Sequence, residues 1–345
     1  YQGKRILVTG AGGSIGRELV RQVAAQHPGM LGLLDFSEYN LFQVDTTTRQ
    51  RFEFIPVVSF LVNIRDEGSL RRALHEFRPD VIFHAAALKH VPMQELNPWE
   101  AVLTNVHGTR NLTSAVRDLA LERFVLVSTD KAVRPTNVMG ATKRMAEMLV
   151  ECVDGDSGSR FTAVRFGNVL GSSGSVIPLF MEQIKNRLPI TVTHPDITRY
   201  FMSVSEASQL ILQAGAMGEG GEIFILDMGK PVRIADMAKD LIRLNGFEPE
   251  KDIPIRFIGL RPGEKLYEEL ITEGEGIVAT RHEKIRVIRG RHCDFAAING
   301  QIDELIRTAY TYDAGLIKQK LNELVPEYTP NGIKNQQSAV GNQLL

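Results

Sequence analysis

Apolar residues in this chain fall into short uninterrupted runs, and the stretches between the runs carry apolar positions at helical spacing. The runs at 4–9, 30–35, 52–58, 80–84, 123–127 and 161–166 have the length and unbroken apolar character of strands buried on both faces. After the first run, Leu19, Val20, Val23 and Ala24 repeat with the period of an amphipathic helix. Helices are also predicted over 67–77, over 98–120, and from about Thr136 onward. Five strand–helix units in succession predict an α/β fold, with a parallel sheet covered by helices on both faces. From Gly167 the pattern gives way to a polar, glycine-rich loop and then to short, irregularly mixed elements up to about residue 325.

The first strand runs into Gly10, Gly13 and Gly16 at the head of the first helix. Glycines at this spacing permit a tight turn, close approach of backbone to a pyrophosphate, and close helix packing, with the phosphate at the helix N-terminus. Asp35 ends the second strand, 19 residues past Gly16. A carboxylate there accepts hydrogen bonds from an adenosine ribose, and the adjacent Phe36 offers no cation for a 2′-phosphate, so NAD is expected rather than NADP. An aspartate in that place also serves as a helix N-cap. Ala85, Ala86 and Ala87 close the fourth strand with side chains small enough to lie against a flat cofactor, or to pack a strand-to-helix turn. The fold expected is therefore a Rossmann-type doubly wound sheet with a smaller C-terminal substrate-binding lobe. The NAD-binding domain spans 1–166, the mixed α/β lobe spans 167–328 and interleaves with the last strands of the sheet, and 329–345 form a polar, disordered tail.

Composition narrows the function classes. The 345 residues carry a formal charge of −1, which gives no electrostatic basis for binding nucleic acid or an anionic membrane surface. Cys152 and Cys293 are the two cysteines, far apart in sequence and without metal-type spacing. They suit a reducing, cytoplasmic compartment and argue against a disulfide framework or a zinc site. No apolar run reaches the roughly 18 residues a membrane span needs, and no leader pattern is present. A strand begins within a few residues of Tyr1, which suggests a domain excised from a longer protein.

The chemistry concentrates between Ser128 and Lys143. Thr129, Asp130 and Lys131 leave the carboxyl end of the 123–127 strand, where open parallel sheets place their ligands. Met139 and Lys143 sit four apart on the next helix and share a face. Two lysines, an aspartate and a hydroxyl converging at a strand end point to proton transfer. Adjacent acid and lysine residues are also common as a solvated surface pair. His84, His90 and His194 have no ligand spacing and read as structural; no metal site is expected.

Thr9-Gly10-x-x-Gly13-x-x-Gly16, the strand-end Ser128-Thr129 and the lysine on the following helix together resemble the extended short-chain dehydrogenases/reductases. That superfamily normally carries Tyr-x-x-x-Lys, where this chain has Met139-Gly-Ala-Thr-Lys143. With Thr129-Asp130-Lys131, the substitution resembles the CapD-like polysaccharide-biosynthesis family, and more narrowly its large, membrane-associated UDP-N-acetylglucosamine 4,6-dehydratases. His84-Ala-Ala-Ala-Leu-Lys-His-Val-Pro92, Arg165-Phe-Gly-Asn-Val-Leu-Gly-Ser-Ser-Gly-Ser-Val-Ile-Pro178, Thr191-Val-Thr-His-Pro-Asp-Ile-Thr-Arg-Tyr-Phe-Met202 and Gly259-Leu-Arg-Pro-Gly-Glu-Lys-Leu-Tyr-Glu-Glu-Leu270 agree with the same family.

The resemblance implies a lyase that oxidises C4 of the sugar with NAD, eliminates water across C5 and C6, and returns the hydride to C6. It implies Asp130 as acid and Lys131 as base, with pKa values raised and lowered respectively. Thr129 would hydrogen-bond O4, and Lys143 would anchor the nicotinamide ribose. Met139 has no proton to exchange, so the base for the first step stays open between Lys131 and a water relayed through Thr129. By the resemblance, the missing tyrosine implies retention rather than inversion at C5. By the same resemblance, Gly10, Gly13, Ser14, Ile15, Gly16, Asp35, Asn63, Ile64, Ala85, Ala86, Ala87, Asn105 and Lys143 would surround the cofactor. Lys89, Asn168, Arg199, Arg261 and Glu264 would meet a UDP-N-acetylhexosamine; Arg261-Pro-Gly-Glu264 also reads as a surface turn. Copies would pair through the helices at 98–120 and 137–152, and a segment ahead of this domain would anchor the full-length protein at the cytoplasmic face of the inner membrane. A UDP-sugar 4-epimerase and a non-catalytic NAD-sensing scaffold are the alternatives.

Overall fold

In the computed structural model, which describes residues 1–117, 119, 121–153, 158–271, 276–289 and 294–330, the short apolar runs become strands of one sheet. They are β1 (Arg5–Thr9), β2 (Met30–Asp35), β3 (Val57–Leu61), β4 (Val81–His84), β5 (Arg123–Val127) and β6 (Arg160–Arg165). These six, together with Glu222–Leu226, are parallel throughout. Ile285–Arg289 and Val278–Ala279 extend the sheet as antiparallel edge strands. Across the sheet the order is Val278–Ala279, Ile285–Arg289, Glu222–Leu226, β6, β5, β4, β1, β2, β3. The chain winds one way from β1 to β3 and the other way from β4 onward, so a crevice opens at the carboxyl ends of β1 and β4. Doubly wound sheets bind their ligands at that switch point.

Helices α1 (Ser14–Ala24), α2 (Glu38–Arg51), α3 (Glu67–Phe77), α4 (Val91–Leu96), α5 (Pro98–Ala101), α6 (Gly108–Val116) and α7 (Val138–Val153) connect and cover these strands. Helix α1 buries Leu19, Val20, Val23 and Ala24, the four positions whose spacing predicts it. Helix α3 starts where Asp66 accepts the amide of Ser69, and it coincides with the predicted 67–77. Helix α2 has no counterpart in the sequence reading. Its stretch is polar, and it buries little more than Leu41, Val44 and Thr48. Because α2 runs to Arg51, the third strand starts at Val57 rather than at the predicted 52.

The helix predicted over 98–120 runs from Pro98 to Val116 and is not uniform. After α5 it widens into a π-helical stretch, Val102–His107, and returns to α geometry at Gly108. Such widened turns are rare and recur at functional sites; this one carries Asn105.

Beyond the sheet, α8 (Val176–Lys185) and α10 (Ile234–Leu244) enclose a separate small core of Phe180, Ile184, Ile190, Val192, Ile242 and Ile253. Helix α9 (Val204–Met217) packs instead on α1 and the main sheet. Helices α11 (Phe295–Ala309) and α12 (Ala314–Leu324) lie across α5, the π-helical stretch and α7. As a result α7 is buried almost all round. The two helices expected to pair between copies are thus covered by this chain's own C-terminal helices, a long-range packing that local periodicity does not register.

Cys152, at the end of α7, is disulfide-bonded, against the expectation drawn from the wide sequence spacing of the two cysteines. Cys293 and the predicted tail over 331–345 lie outside the described residues. Thr329, assigned to that tail, donates its amide to the Pro135 carbonyl at 2.9 Å. Among the described residues no helix is long and apolar enough to cross a membrane.

Candidate active site

The loop between β1 and α1 is shaped by what its glycines must avoid. Gly10 has φ +66°, and a Cβ on it would lie 2.7 Å from the backbone of Ala86. A Cβ on Gly16 would collide with the Gly10 carbonyl. Helix α1 opens on Gly13 without a side-chain cap, so Ser14, Ile15 and Gly16 present first-turn amides to the crevice. Asp35 is buried and ties β2 to this loop: its carboxylate accepts the amides of Gly12 and Ser37, each at 2.9 Å. The N-cap of α2 is Ser37, not Asp35, which removes the capping alternative. Gly12, absent from the sequence-based set, is forced by α2, because a Cβ there would sit 2.5 Å from Cβ of Asn40. These residues fit a dinucleotide: a backbone cradle without side chains, a helix N-terminus, and a buried acid at the next strand end.

Asn63 is exposed and turns its side chain back to the Arg65 amide. Ile64 is buried beneath the crevice, and its carbonyl accepts from Asn111. Asn105 accepts the Leu88 amide at 2.8 Å, donates to the Leu88 carbonyl at 3.0 Å, and donates to Thr142 on α7 at 3.1 Å. It thereby clamps the 85–88 segment between the π-helical stretch and α7. His84 is buried in a chain of hydroxyls. Thr109 donates to the Asn105 carbonyl, so His84 Nε2 must donate to Thr109, and Nδ1 then accepts from Thr9. Burial, with the Lys143 charge nearby, lowers its pKa to about 3 and keeps the imidazole neutral.

At the end of β5 the chain turns through one 3-10 turn, Asp130–Ala132. Asp130 is fully buried. Its Oδ1 accepts from Thr129 at 2.9 Å and from the Lys131 ammonium at 3.0 Å, while Oδ2 has no partner. Burial raises its pKa, Lys131 opposes, and a third group, Glu268, adds to the rise. Lys131 Nζ also approaches Asn168 Oδ1 at 3.3 Å and Glu268 Oε1 at 3.4 Å. Burial would lower the pKa of this lysine, but Asp130 and Glu268 outweigh it, and the net direction is upward. The expectation of a lowered value is therefore not met, because the sequence reading did not see Glu268 facing the amine.

On α7, Met139 and Lys143 are both buried, one turn apart. Lys143 donates to the Val127 carbonyl at 2.7 Å, and burial lowers its pKa to about 8 against the pull of Glu147. Behind it lies a network that the sequence reading missed. Glu147 accepts from Ser128 at 2.6 Å and makes a two-pronged pair with Arg165 at 2.9 and 2.8 Å, with Arg144 at 3.3 Å. The spacing of Lys143 and Glu147 on one helix face is the signal that could have found it.

The lobe closes the crevice from the other side. Lys89 reaches Ser172 at 3.3 Å, and Ser173 takes its amide to Ser14 at 3.2 Å, so the glycine-rich loop after β6 touches both walls. Arg199 is almost buried; it donates to carbonyls of Thr198, Leu266 and Lys265 and pairs with Glu264 at 3.3 Å and Glu268 at 3.5 Å. Glu264 also accepts from Thr193 and from the Arg261 amide. The Arg261-to-Glu264 turn is not a free surface turn. Gly263, at φ +76°, presents its carbonyl to Thr136 and Asn137 at the start of α7. Arg261 itself is exposed. His90 holds the N-cap position of α4 without a side-chain cap bond, His194 accepts the Asp196 amide, and among the described residues no group of three His, Cys, Asp or Glu side chains could hold a metal.

The family model for "Polysaccharide biosynthesis protein" matches residues 6–290. The chain belongs to that family. The extended short-chain dehydrogenase/reductase character read from its motifs stands with it. The chain is 49% identical over 310 residues to the capsular polysaccharide biosynthesis protein CapD of Staphylococcus aureus, covering 88% of this chain and 49% of that one. It thus spans about half the length of that relative. Other relatives are a UDP-glucose 4-epimerase of Rickettsia canadensis, 36% identical over 78% of both chains, and an inverting UDP-N-acetylglucosamine 4,6-dehydratase of Campylobacter jejuni, 32% identical over 84% and 83%. Among solved structures, Pen from Bacillus thuringiensis superposes with a TM-score of 0.78 at 36% identity, covering 85% and 92%. The dTDP-glucose 4,6-dehydratase DesIV of Streptomyces venezuelae, solved with NAD, shares the fold at a TM-score of 0.68, 23% identity, and 91% and 99% coverage. The chain is an enzyme-fold member of the nucleotide-sugar dehydratase and epimerase group.

Proposed function

We propose that this chain is an NAD-dependent UDP-N-acetylglucosamine 4,6-dehydratase that forms a UDP-4-keto-6-deoxy sugar with retention at C5. The observation that carries the reading is Asp130: a fully buried carboxyl, raised in pKa, beside Lys131, with one oxygen left unpartnered. A buried orphan oxygen is costly unless it has a task, and donating the proton of a neutral carboxylic acid to a substrate hydroxyl that reaches it is one. An epimerase needs a strong base at O4 and no acid beside it, whereas Met139 stands in the tyrosine's place.

When bound, NAD⁺ would supply the oxidant for C4 and, once reduced, the hydride for C6. In the elimination, Lys131, after releasing its ammonium proton to solvent through its exposed edge, takes the C5 proton, and the C5–H electron pair becomes the C5=C6 bond. The C6–O6 bond breaks, and Asp130 gives its proton to O6, which departs as water. Gly10, Gly13 and Gly16 admit the pyrophosphate, Asp35 receives the adenosine ribose, and Lys143 holds the nicotinamide ribose. Asn63 and Ile64 line the adenine side, Ala85 to Ala87 the nicotinamide side, and Asn105 fixes the backbone between them. Lys89, Asn168, Arg199, Arg261 and Glu264 receive the UDP-sugar, with arginine matched to the diphosphate by its planar fork. Thr129 donates to Asp130 and so orients the acid.

Incubation with UDP-N-acetylglucosamine and NAD, followed by proton NMR, tests the proposal. A new C6 methyl doublet supports it. A change confined to C4 would assign the epimerase instead, and no turnover by the chain with cofactor present would favour the NAD-sensing scaffold.

A further inference from the structure

In this fold Lys131 has two buried carboxyl neighbours. Nζ lies 3.0 Å from Asp130 Oδ1 and 3.4 Å from Glu268 Oε1. Glu268 comes from the lobe, in the loop after the Arg261-to-Glu264 turn, and its side chain is 4% exposed. One ammonium cannot compensate two buried carboxylates, so one of the two must give way. Which one is decided by the remaining cations. Glu268 has a second, Arg199, whose Nε is 3.5 Å away. Lys265, three residues before it, adds to the field, although its own ammonium is engaged by the Val133 carbonyl and Glu269. Asp130 has Lys131 alone; its other contact is the Thr129 hydroxyl, and its free oxygen faces Gly167. Lys89 and Lys131 repel each other, Arg199 also repels Lys131, and Glu264 is taken up by Arg199 and Thr193.

We propose that Glu268 is a positioning residue that serves as the ion partner of Lys131 in the resting site and so leaves Asp130 free to keep its proton as the acid of the elimination; Lys131 sheds its own proton before it acts as base. The inference rests on the dehydratase reading for its purpose, but not for its geometry. Without the Glu268 charge, Lys131 and Asp130 would form an ordinary ion pair, and Asp130 would have no proton for the departing O6. The pKa directions agree: burial raises Asp130 with help from Glu268, while burial of Glu268 is outweighed by Lys131 and Arg199.

The decisive measurement needs no substrate. Infrared spectra of the NAD-loaded protein at pH 7 should show a protonated-carboxyl C=O band that Asp130→Asn removes. Glu268→Gln should lose that band. Glu268→Asp, which withdraws the carboxylate by one methylene, should keep it with a lower titration midpoint. Circular dichroism and thermal melts establish that each variant is folded; if the glutamine variant is not, the aspartate midpoint alone decides. An unchanged midpoint in Glu268→Asp, a band that persists in Glu268→Gln, or a wild-type spectrum with no band assignable to Asp130 overturns the proposal. If the wild type forms the methyl product, Glu268→Gln should form it about 100-fold more slowly at neutral pH, with UDP affinity within about twofold. Its pH–rate profile should shift relative to the wild type, because Asp130 and Lys131 then titrate as a pair without the third charge, whereas a purely structural defect would depress the rate equally at every pH. Absence of the methyl product in the wild type would sink the dehydratase reading and leave the infrared result standing by itself.

Discussion

Glu147 and Arg165 illustrate how single residues in this chain hold charge without water. Both are essentially unexposed, and each oxygen of the carboxylate receives a guanidinium N–H. Removing one partner strands the other: breaking a buried pair costs roughly 3–5 kcal/mol, because the remaining charge has no solvent. Glu147→Gln should therefore lower stability by about that amount in chemical denaturation. It should also weaken the Ser128 contact that steadies the end of β5, while Glu151→Gln, partly served by solvent, should cost less. Equal losses in the two variants would show that Glu147 is not the hub.

Helices α11 and α12 act as elements rather than as collections of contacts. Ile317 and Leu321 are fully buried and Leu324 nearly so, on the side of α12 that meets α5 and α7. Lys318 and Glu95 tie α12 to α4, and the same Glu95 accepts the first amide of α7. Truncation before Ala314 would uncover this apolar face, which at about 25 cal/mol per Å² is too costly to leave in water. The expected result is self-association or aggregation, read by light scattering. A truncated chain that stays monodisperse at its original size would count against the covering role. Leu321→Asp should give the same outcome in milder form, with destabilisation of roughly 3 kcal/mol or more.

For the molecule as a whole, acid is the condition that the buried groups resist worst. The His84 pKa falls from its ordinary value of 6.5 to about 3 in the folded chain, so between those values the unfolded chain binds a proton that the folded one refuses. Its contribution is fully present above pH 6.5 and is lost as pH falls toward 3. The total is on the order of 5 kcal/mol at 1.36 kcal/mol per pKa unit. Glu147, held below its usual range by Arg165 against the opposing effect of burial, loses stability in the same direction further into acid. Denaturation at pH 7 and pH 4.5 should show a steep loss in the wild type and a flatter one in His84→Gln. Identical slopes would mean that His84 is accessible to protons in the fold.

Local pattern determined much of this protein. The strands β1, β2, β4, β5 and β6, the helices α1 and α3, the glycine loop and the placement of Asp130 and Lys131 at a strand end all follow from period and residue type, because those depend on near neighbours along the chain. Helix α2 escaped because it is polar and held by few buried positions, and the widened turn around Asn105 escaped because apolar periodicity does not report a change from α to π geometry. Tertiary structure alone decided that α11 and α12 cover α7, that Cys152 is disulfide-bonded, and that Glu268 reaches Lys131 across 137 positions. Such contacts arise from how separate segments close around one crevice, and the charge state of a buried group depends on every partner that closure brings, however distant in sequence.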